Sequence, residues 1–353
     1  MKCIFLLAKQ SRGHLIDALF SACLIFFPAL VFAGAPLAQA DTARVVDTLA
    51  ERMHQHYVSA EVGRQVAAGL RLHLARRSYD GLDTEQLAEK LTIDLVALTH
   101  DEHAGVLYMD KTLDPVDTPI SHAVSNMTRA GVDAWNQRVS SARVREFANH
   151  FGLPKSERLA GNVAYLRIDS FGEIETCGPS IEAELQATRD AAALIIDLRE
   201  NGGGRIESAT LAASYLFDDQ PVHLLDEIMR GTGRVRPIWT SPIASDLRIG
   251  KKKPVYLLVS HDTFSAGESF AYVLQAAKRA VVIGVPTRGG AHGARGYVIH
   301  PHLLASVPSR RMTSPVTHGD WEGTGVQPDL SAAPDQSLAI ALAMAAKSAV
   351  VVP

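Results

Sequence analysis

From Gly161 onward the chain alternates short, continuously apolar runs with longer segments of helical periodicity, and this pattern constrains its fold more than any other feature. Strands are predicted at residues 162–168, 193–198, 254–259 and 280–285, and helices at 180–191, 206–217 and 266–279. Apolar runs without a polar alternate face are strands covered on both sides, and strand–helix alternation delivers parallel pairing in a layered α/β fold. Two later runs, 296–299 and 303–307, read as an added hairpin. The apolar tail, 338–349, is short and carries Lys347, so it reads as a helix packed on the core and not as a membrane span.

The residues before this region behave differently. Val46, Leu49, Met53 and Tyr57, then Val62, Val66, Leu70 and Leu74, then Leu87, Leu91, Leu95 and Leu98 recur at three- and four-residue steps. They predict three helices, the third opened by an Asp83/Gln86 capping box. Ala104–Tyr108 turns strand-like, and Pro115, Pro119 and Pro154 mark loops in a connecting region. At the N-terminus, Lys2, Lys9 and Arg12 precede an apolar run from Ala18 to Phe32 and then Ala38-Gln39-Ala40. That order predicts a secretory signal cut after Ala40, and Pro28 within a short apolar run disfavours a retained anchor. Phe20 and the apolar run beyond Cys23 disfavour a lipid-attachment site. The expected organisation is therefore a signal at 1–40, a helical domain at 41–103, a connecting region at 104–159 and an α/β domain at 160–353. Of the three cysteines only Cys177 survives cleavage, so the exported chain forms no internal disulfide. A net charge of −3 excludes the basic surface of a nucleic-acid binder or a polybasic membrane patch.

Two turns can carry chemistry. Ser265 lies between the strand at 254–259 and the following helix, in Thr263-Phe264-Ser265-Ala266-Gly267-Glu268. Helical N–H groups without partners and the helix dipole favour negative charge there, as a nucleophile and its oxyanion require. Serine is equally a favoured N-cap, and the turn alone fits that better. The second turn, Asp197-Leu198-Arg199-Glu200-Asn201-Gly202-Gly203-Gly204, lets backbone N–H groups approach a ligand. A phosphate loop is one alternative, but the turn lacks both the dinucleotide fingerprint and a Gly-Lys-Ser/Thr ending, and alone it reads as a tight turn. A nucleophilic serine needs a base and a group to orient it. His103 and His292 are the candidate bases; His261 is too near Ser265 in sequence for the geometry. Glu322, in a glycine-rich turn near the end, is the candidate acid.

Six segments in order resemble the tail-specific, or C-terminal processing, serine peptidases, in the branch with tricorn protease and the interphotoreceptor retinoid-binding protein repeats. They are Asp101-Glu102-His103, Gly161–Phe171, Asp197–Gly204, Thr263–Glu268, Thr287–His292 and Gly323–Asp329. The resemblance implies a spiral α/β core of the Clp protease/crotonase kind. It implies Ser265 as nucleophile, His103 as base, Glu322 orienting His103, and the Gly203 and Ala266 N–H groups as oxyanion hole. No metal or cofactor is implied; the partner is a peptide or protein substrate, met in the periplasm or outside the cell. The loop Thr287-Arg288-Gly289-Gly290-Ala291 holds no lysine, unlike Ser–Lys processing enzymes, and the connecting region is too short for a PDZ domain. Both departures favour a Ser–His–Glu arrangement. Tricorn has a serine where Glu102 stands, which leaves that fourth position open. A carrier of apolar ligands is the main alternative; thioester chemistry on the same core sits poorly with export. Arg288 and Arg295 are candidates to hold a substrate carboxylate.

Overall fold

A computed structural model describes residues 35–113, 153 and 155–350. The apolar part of the expected signal and most of the connecting region lie outside the described residues. Three helices come first: α1 (Gln39–His56), α2 (Ala60–Ala75) and α3 (Thr84–Thr99). The Asp83 carboxylate accepts the Gln86 N–H at 2.8 Å and the Gln86 side chain accepts the Asp83 N–H at 3.1 Å, so the expected capping box starts α3. α3 stops at His100, in the left-handed conformation (φ 56°), which turns the chain sharply toward residues 101–103. α1 begins at Gln39, so a cut after Ala40 would fall in its first turn.

Two sheets follow. The first contains β1 (Gly105–Tyr108), β5 (His223–Met229), β6 (Val235–Trp239), β9 (His292–His300) and β10 (Leu303–Thr313). Its order is β1-β10-β5-β6, with β9 also on β10. The second contains β2 (Lys155–Leu159), β3 (Val163–Arg167), β4 (Ala193–Asp197), β7 (Val255–Val259), β8 (Val281–Gly284) and β11 (Leu330–Ser331). Its order is β11-β8-β7-β4-β3-β2, parallel except for the antiparallel β2–β3 pair. Helices α4 (Ile174–Ala187), α5 (Ile206–Ser214) and α6 (Ala266–Ala276) cover one face, and α7 (Ser337–Val350) packs on the other. Leu194, Ile196 and Leu257 point to the first face, while Ile195, Tyr256 and Leu258 point to the second. That two-sided burial is why these strands read as unbroken apolar runs.

Several boundaries differ from those expected. β2 lies within the 104–159 connecting region yet pairs with β3, so the catalytic sheet starts before residue 160. The helical segment packs on the later sheet: Val46, Leu49, Leu70, Leu87 and Leu91 share one core with Tyr297, Leu303, Ala305 and Val307 of β9 and β10. α4 starts at Ile174, six residues earlier than its pattern suggested, because the helix accommodates Pro179 with the loss of one backbone donor. β5 and β6 gave no strand signal. β6 is an edge strand with exposed Val235 and Trp239 and holds Pro237, a residue tolerated only where no ladder hydrogen bond is required.

Candidate active site

The turn after β7 is built from buried hydroxyl and amide bonds. Thr263 donates its hydroxyl to the Leu198 carbonyl at 2.7 Å and accepts the Ser260 N–H at 3.0 Å. The Phe264 N–H reaches the Asn201 carbonyl at 2.9 Å, and the Asn201 side chain donates to the Ile168 carbonyl at 2.9 Å. These bonds fasten the Ser265 turn to the glycine turn after β4. They also hold Ser265 at φ 53°, ψ −117°, a conformation that costs a non-glycine residue about 1–3 kcal/mol. Ser265 does occupy the position before α6, as an N-cap would. Its Oγ, however, lies 3.0 Å from His103 Nε2, a hydrogen bond across 162 positions.

His103 sits between α3 and β1. Its ring stacks on Phe264, centroids 4.5 Å apart and 22° from parallel, and its carbonyl accepts the Ser306 hydroxyl. Burial pushes its pKa down to about 4, with His292 and Arg310 adding to the fall and Asp101 opposing it. At neutral pH the imidazole is therefore uncharged and able to take a proton. Gly290 leaves room for this stack, since a Cβ there would fall 2.6 Å from His103 Cε1 and 2.8 Å from Phe264 Cζ.

The expected acid lies nearby but on a different histidine. Glu322 accepts the Ala291 N–H at 2.6 Å and the His292 N–H at 3.1 Å, and its other oxygen is 3.5 Å from His292 Nδ1. Nothing in the structure joins it directly to His103. The carboxylate nearest the His103 ring is that of Asp101, whose Oδ1 lies 3.7 Å from Nδ1. Asp101 Oδ1 also accepts the His103 backbone N–H at 2.9 Å, while Oδ2 accepts from His292 Nδ1 at 2.7 Å and from Tyr57 Oη at 3.3 Å. Burial pushes the Asp101 carboxyl up, but the His292 hydrogen bond and both imidazoles hold it below its usual range. Burial works against a charge on His292, yet Asp101 and Glu322 raise it above its usual value. Burial and the Asp101 charge push Glu322 up to about 7. Asp101, His292 and Glu322 place donor atoms within 4.8 Å of one another, a spacing that could hold a metal ion, and every one of these side chains already makes hydrogen bonds.

Of the two expected oxyanion donors, Ala266 is the first residue of α6, so its N–H has no intrahelical partner. Gly203 (φ 102°) lies against Ser265: a Cβ on it would sit 2.8 Å from Ser265 Cβ and 3.4 Å from the Ala266 nitrogen. Its N–H, however, is given to Asn201 Oδ1 at 2.9 Å. Among residues without an expected role, Glu268 stands out. Its fully buried carboxylate accepts the N–H groups of Ser265 (2.8 Å), Gly289 (2.6 Å) and Gly290 (2.8 Å) and the Thr287 hydroxyl (2.6 Å). Glu102 pairs with Arg288 (3.7 Å), which also reaches Asp262 (3.3 Å) and the Phe264 ring. Arg288 is thus held by acids of this chain, whereas Arg295 borders a cavity of about 660 Å³ with Arg205, Arg230 and Arg310. Cys177 is buried and gives its thiol to Gly172 and Ser208, a packing role.

Two family models match the chain: that of peptidase family S41 over residues 162–332, and that of the N-terminal domain of peptidase S41 in eukaryotic IRBP over residues 37–136. The chain belongs to peptidase family S41. The S41 match spans Gly203, Ser265, Ala266 and Glu322, and His103 falls within the N-terminal match. A carboxyl-terminal-processing peptidase of Arabidopsis thaliana chloroplasts is 28% identical over 178 residues, covering 50% of this chain and 33% of that protein. The chain spans about a third of the length of the curated relatives it matches. Among solved structures, a lipoprotein from Streptococcus agalactiae superposes with a TM-score of 0.57 at 13% identity, covering 87% of this chain and 96% of that one. Tricorn protease superposes with a TM-score of 0.52 at 13% identity, covering 88% of this chain and 37% of its own. The S41 fold is therefore shared across nearly the whole described chain. No helix among the described residues is long and apolar enough to cross a membrane.

Proposed function

We propose that this S41 member is an exported serine peptidase that cleaves peptide bonds through an acyl-enzyme. The observation that carries the reading is the 3.0 Å contact between His103 Nε2 and Ser265 Oγ, made at a strained turn before a helix. Ser265 Oγ attacks the scissile carbonyl while neutral His103 takes its proton, and the imidazolium then protonates the leaving amine. Water repeats the sequence on the ester and frees Ser265. The developing oxyanion lies against the Ala266 N–H, and Gly203 joins it once its N–H leaves Asn201. Each such donor is worth about 3–4 kcal/mol in the transition state. A nearby carboxylate stabilises the imidazolium; Glu322 is the one implied by the family resemblance.

The cavity bordered by Arg205, Arg230, Arg295 and Arg310 also holds three glutamates, a lining that suits a polar peptide better than an apolar ligand and so disfavours the carrier alternative. Export rests on the basic–apolar–Ala-Gln-Ala N-terminus. Fluorophosphonate labelling of the purified protein tests the chemistry. The wild type should label on Ser265, and Ser265→Ala and His103→Ala should not; labelling that survives Ser265→Ala refutes the nucleophile. N-terminal sequencing of protein from an exported fraction tests the cut.

A further inference from the structure

When His103 Nε2 accepts the Ser265 hydroxyl, its proton sits on Nδ1, and that nitrogen is buried without a hydrogen-bond partner in the structure. A general base with an unanchored Nδ1–H is free to rotate or change tautomer, so the site calls for an acceptor there. The neighbouring carboxylates are not equivalent in meeting that need. Glu322 commits one oxygen to two backbone N–H groups and turns the other toward His292. Asp101 leaves the same turn as His103 and is tied to it by the His103 backbone N–H. Its Oδ2 is taken by His292 and Tyr57, which leaves Oδ1 facing Nδ1 at 3.7 Å. Closing that gap to a hydrogen bond requires a movement of about 1 Å, of the kind that catalytic contacts undergo when substrate binds.

We propose that Asp101 is the carboxylate that orients His103, and that His292, itself seated by Glu322, is the positioning residue that keeps Asp101 aimed at it. This rests on Ser265 and His103 acting as nucleophile and base, and moves Glu322 one step back from the base. His292 faces Asp101, Glu322, Asp320, Tyr57 and His103, with Arg311 opposite it in the β9–β10 pair, and Arg310 acts on His103. Asp101 shares its negative charge between His103 and His292, and an ionised Glu322 adds a second negative charge to the cluster. Turnover should therefore rise as Glu322 ionises, near pH 7.

The test uses the full chain, with kcat and KM measured on fluorescein-labelled casein. Asp101→Asn should lower kcat by about 10³–10⁴-fold, the size of a tautomer defect. His292→Ala should lower kcat about 10²-fold at unchanged KM, a misplacement effect, while His292→Asn, which keeps a donor near Nδ1, recovers most of it. Glu322→Gln should cost less than tenfold above pH 7 and should erase the rise of kcat/KM near that pH. A loss in Glu322→Gln equal to or above that in Asp101→Asn overturns the proposal, as does His292→Asn no better than His292→Ala. Should the Asp101 variant fail to fold, proton NMR of the wild type decides. A deshielded His103 Nδ1 proton unaffected by Glu322→Gln supports Asp101, and its loss in that variant refutes it. Absent fluorophosphonate labelling of the wild type would instead count against the peptidase reading, which the NMR arm does not depend on.

Discussion

Replacing Gly290 by alanine should disable the site while leaving the protein folded. Gly290 does not have a positive φ, so an alanine backbone is tolerated there. The added methyl would lie 2.6 Å from His103 Cε1 and 2.8 Å from Phe264 Cζ, against a normal carbon–carbon separation of about 3.5–4.0 Å. The ring pair must give way by about 1 Å. The methyl lies nearest Phe264 Cε2, so the Phe264 ring must turn away and the His103 ring stacked on it must move as well, which lengthens the 3.0 Å contact with Ser265 toward 4 Å. A misplacement of that size costs about 10²-fold in rate, or about 2.7 kcal/mol of transition-state stabilisation. The assay is the second-order rate of fluorophosphonate labelling, read beside a thermal melt. Gly202→Ala is the control, since a Cβ there meets nothing within 4 Å. Gly290→Ala labelling within threefold of wild type would refute the reasoning, as would a melting point so low that the rate loss merely reports unfolding.

Other expectations follow from the same contacts. Ser265→Gly should be inactive yet more stable by about 1 kcal/mol in urea unfolding, because glycine relieves a strain of about 1–3 kcal/mol and returns part of it as chain entropy; lower stability would contradict a strained turn. Thr263→Val removes the partner of two buried backbone groups and should cost about 2 kcal/mol, seen as a lower urea midpoint with slower labelling. Glu322 has a folded pKa raised from 4.5 to about 7, so its contribution to stability is complete below about pH 4.5 and is lost as pH rises through 7. The stability of Glu322→Gln relative to wild type should accordingly rise across that window by about 1–3 kcal/mol, and a flat difference would show that the carboxyl is not displaced.

The elements that could be read from the chain are those whose side chains answer to one local period. β3, β4, β7 and β8 are buried on both faces, and Leu49, Leu70 and Leu87 follow the helical repeat, so each declared itself within a few residues. β6 did not, since exposed Val235 and Trp239 flank Pro237 at a sheet edge. The site divides in the same way. Ser265 sits where a strand–turn–helix can be recognised, and His103 and Glu322 came through ordered resemblance. The pairing of Asp101 with His292 spans 191 positions and has no local signature. Its consequence is that Glu322 sits in the expected cluster but contacts His292, while Asp101, part of the quoted segment Asp101-Glu102-His103, had no role assigned to it.

The hydrogen bonds of Glu268 connect these two kinds of information. The loop Thr287–Ala291 links β8 of the Ser265 sheet to β9 of the sheet that shares its core with the helices before His103. Glu268, three residues after Ser265, accepts three donors from that loop and the Ser265 N–H itself. One buried carboxylate therefore fixes the backbone of Ser265 and that of Gly290, which lies against the His103 ring. The Trp321 indole adds a bond to the Gly290 carbonyl at 2.9 Å, and Glu322, the next residue, takes the N–H groups of Ala291 and His292. This loop is one of the links between the two sheets, and its Gly290 lies against both His103 and the Phe264 ring. The strained turn carries Ser265; its distance to His103 is set by a short connector in which the N–H groups of Gly289, Gly290 and Ala291 are taken by two glutamates.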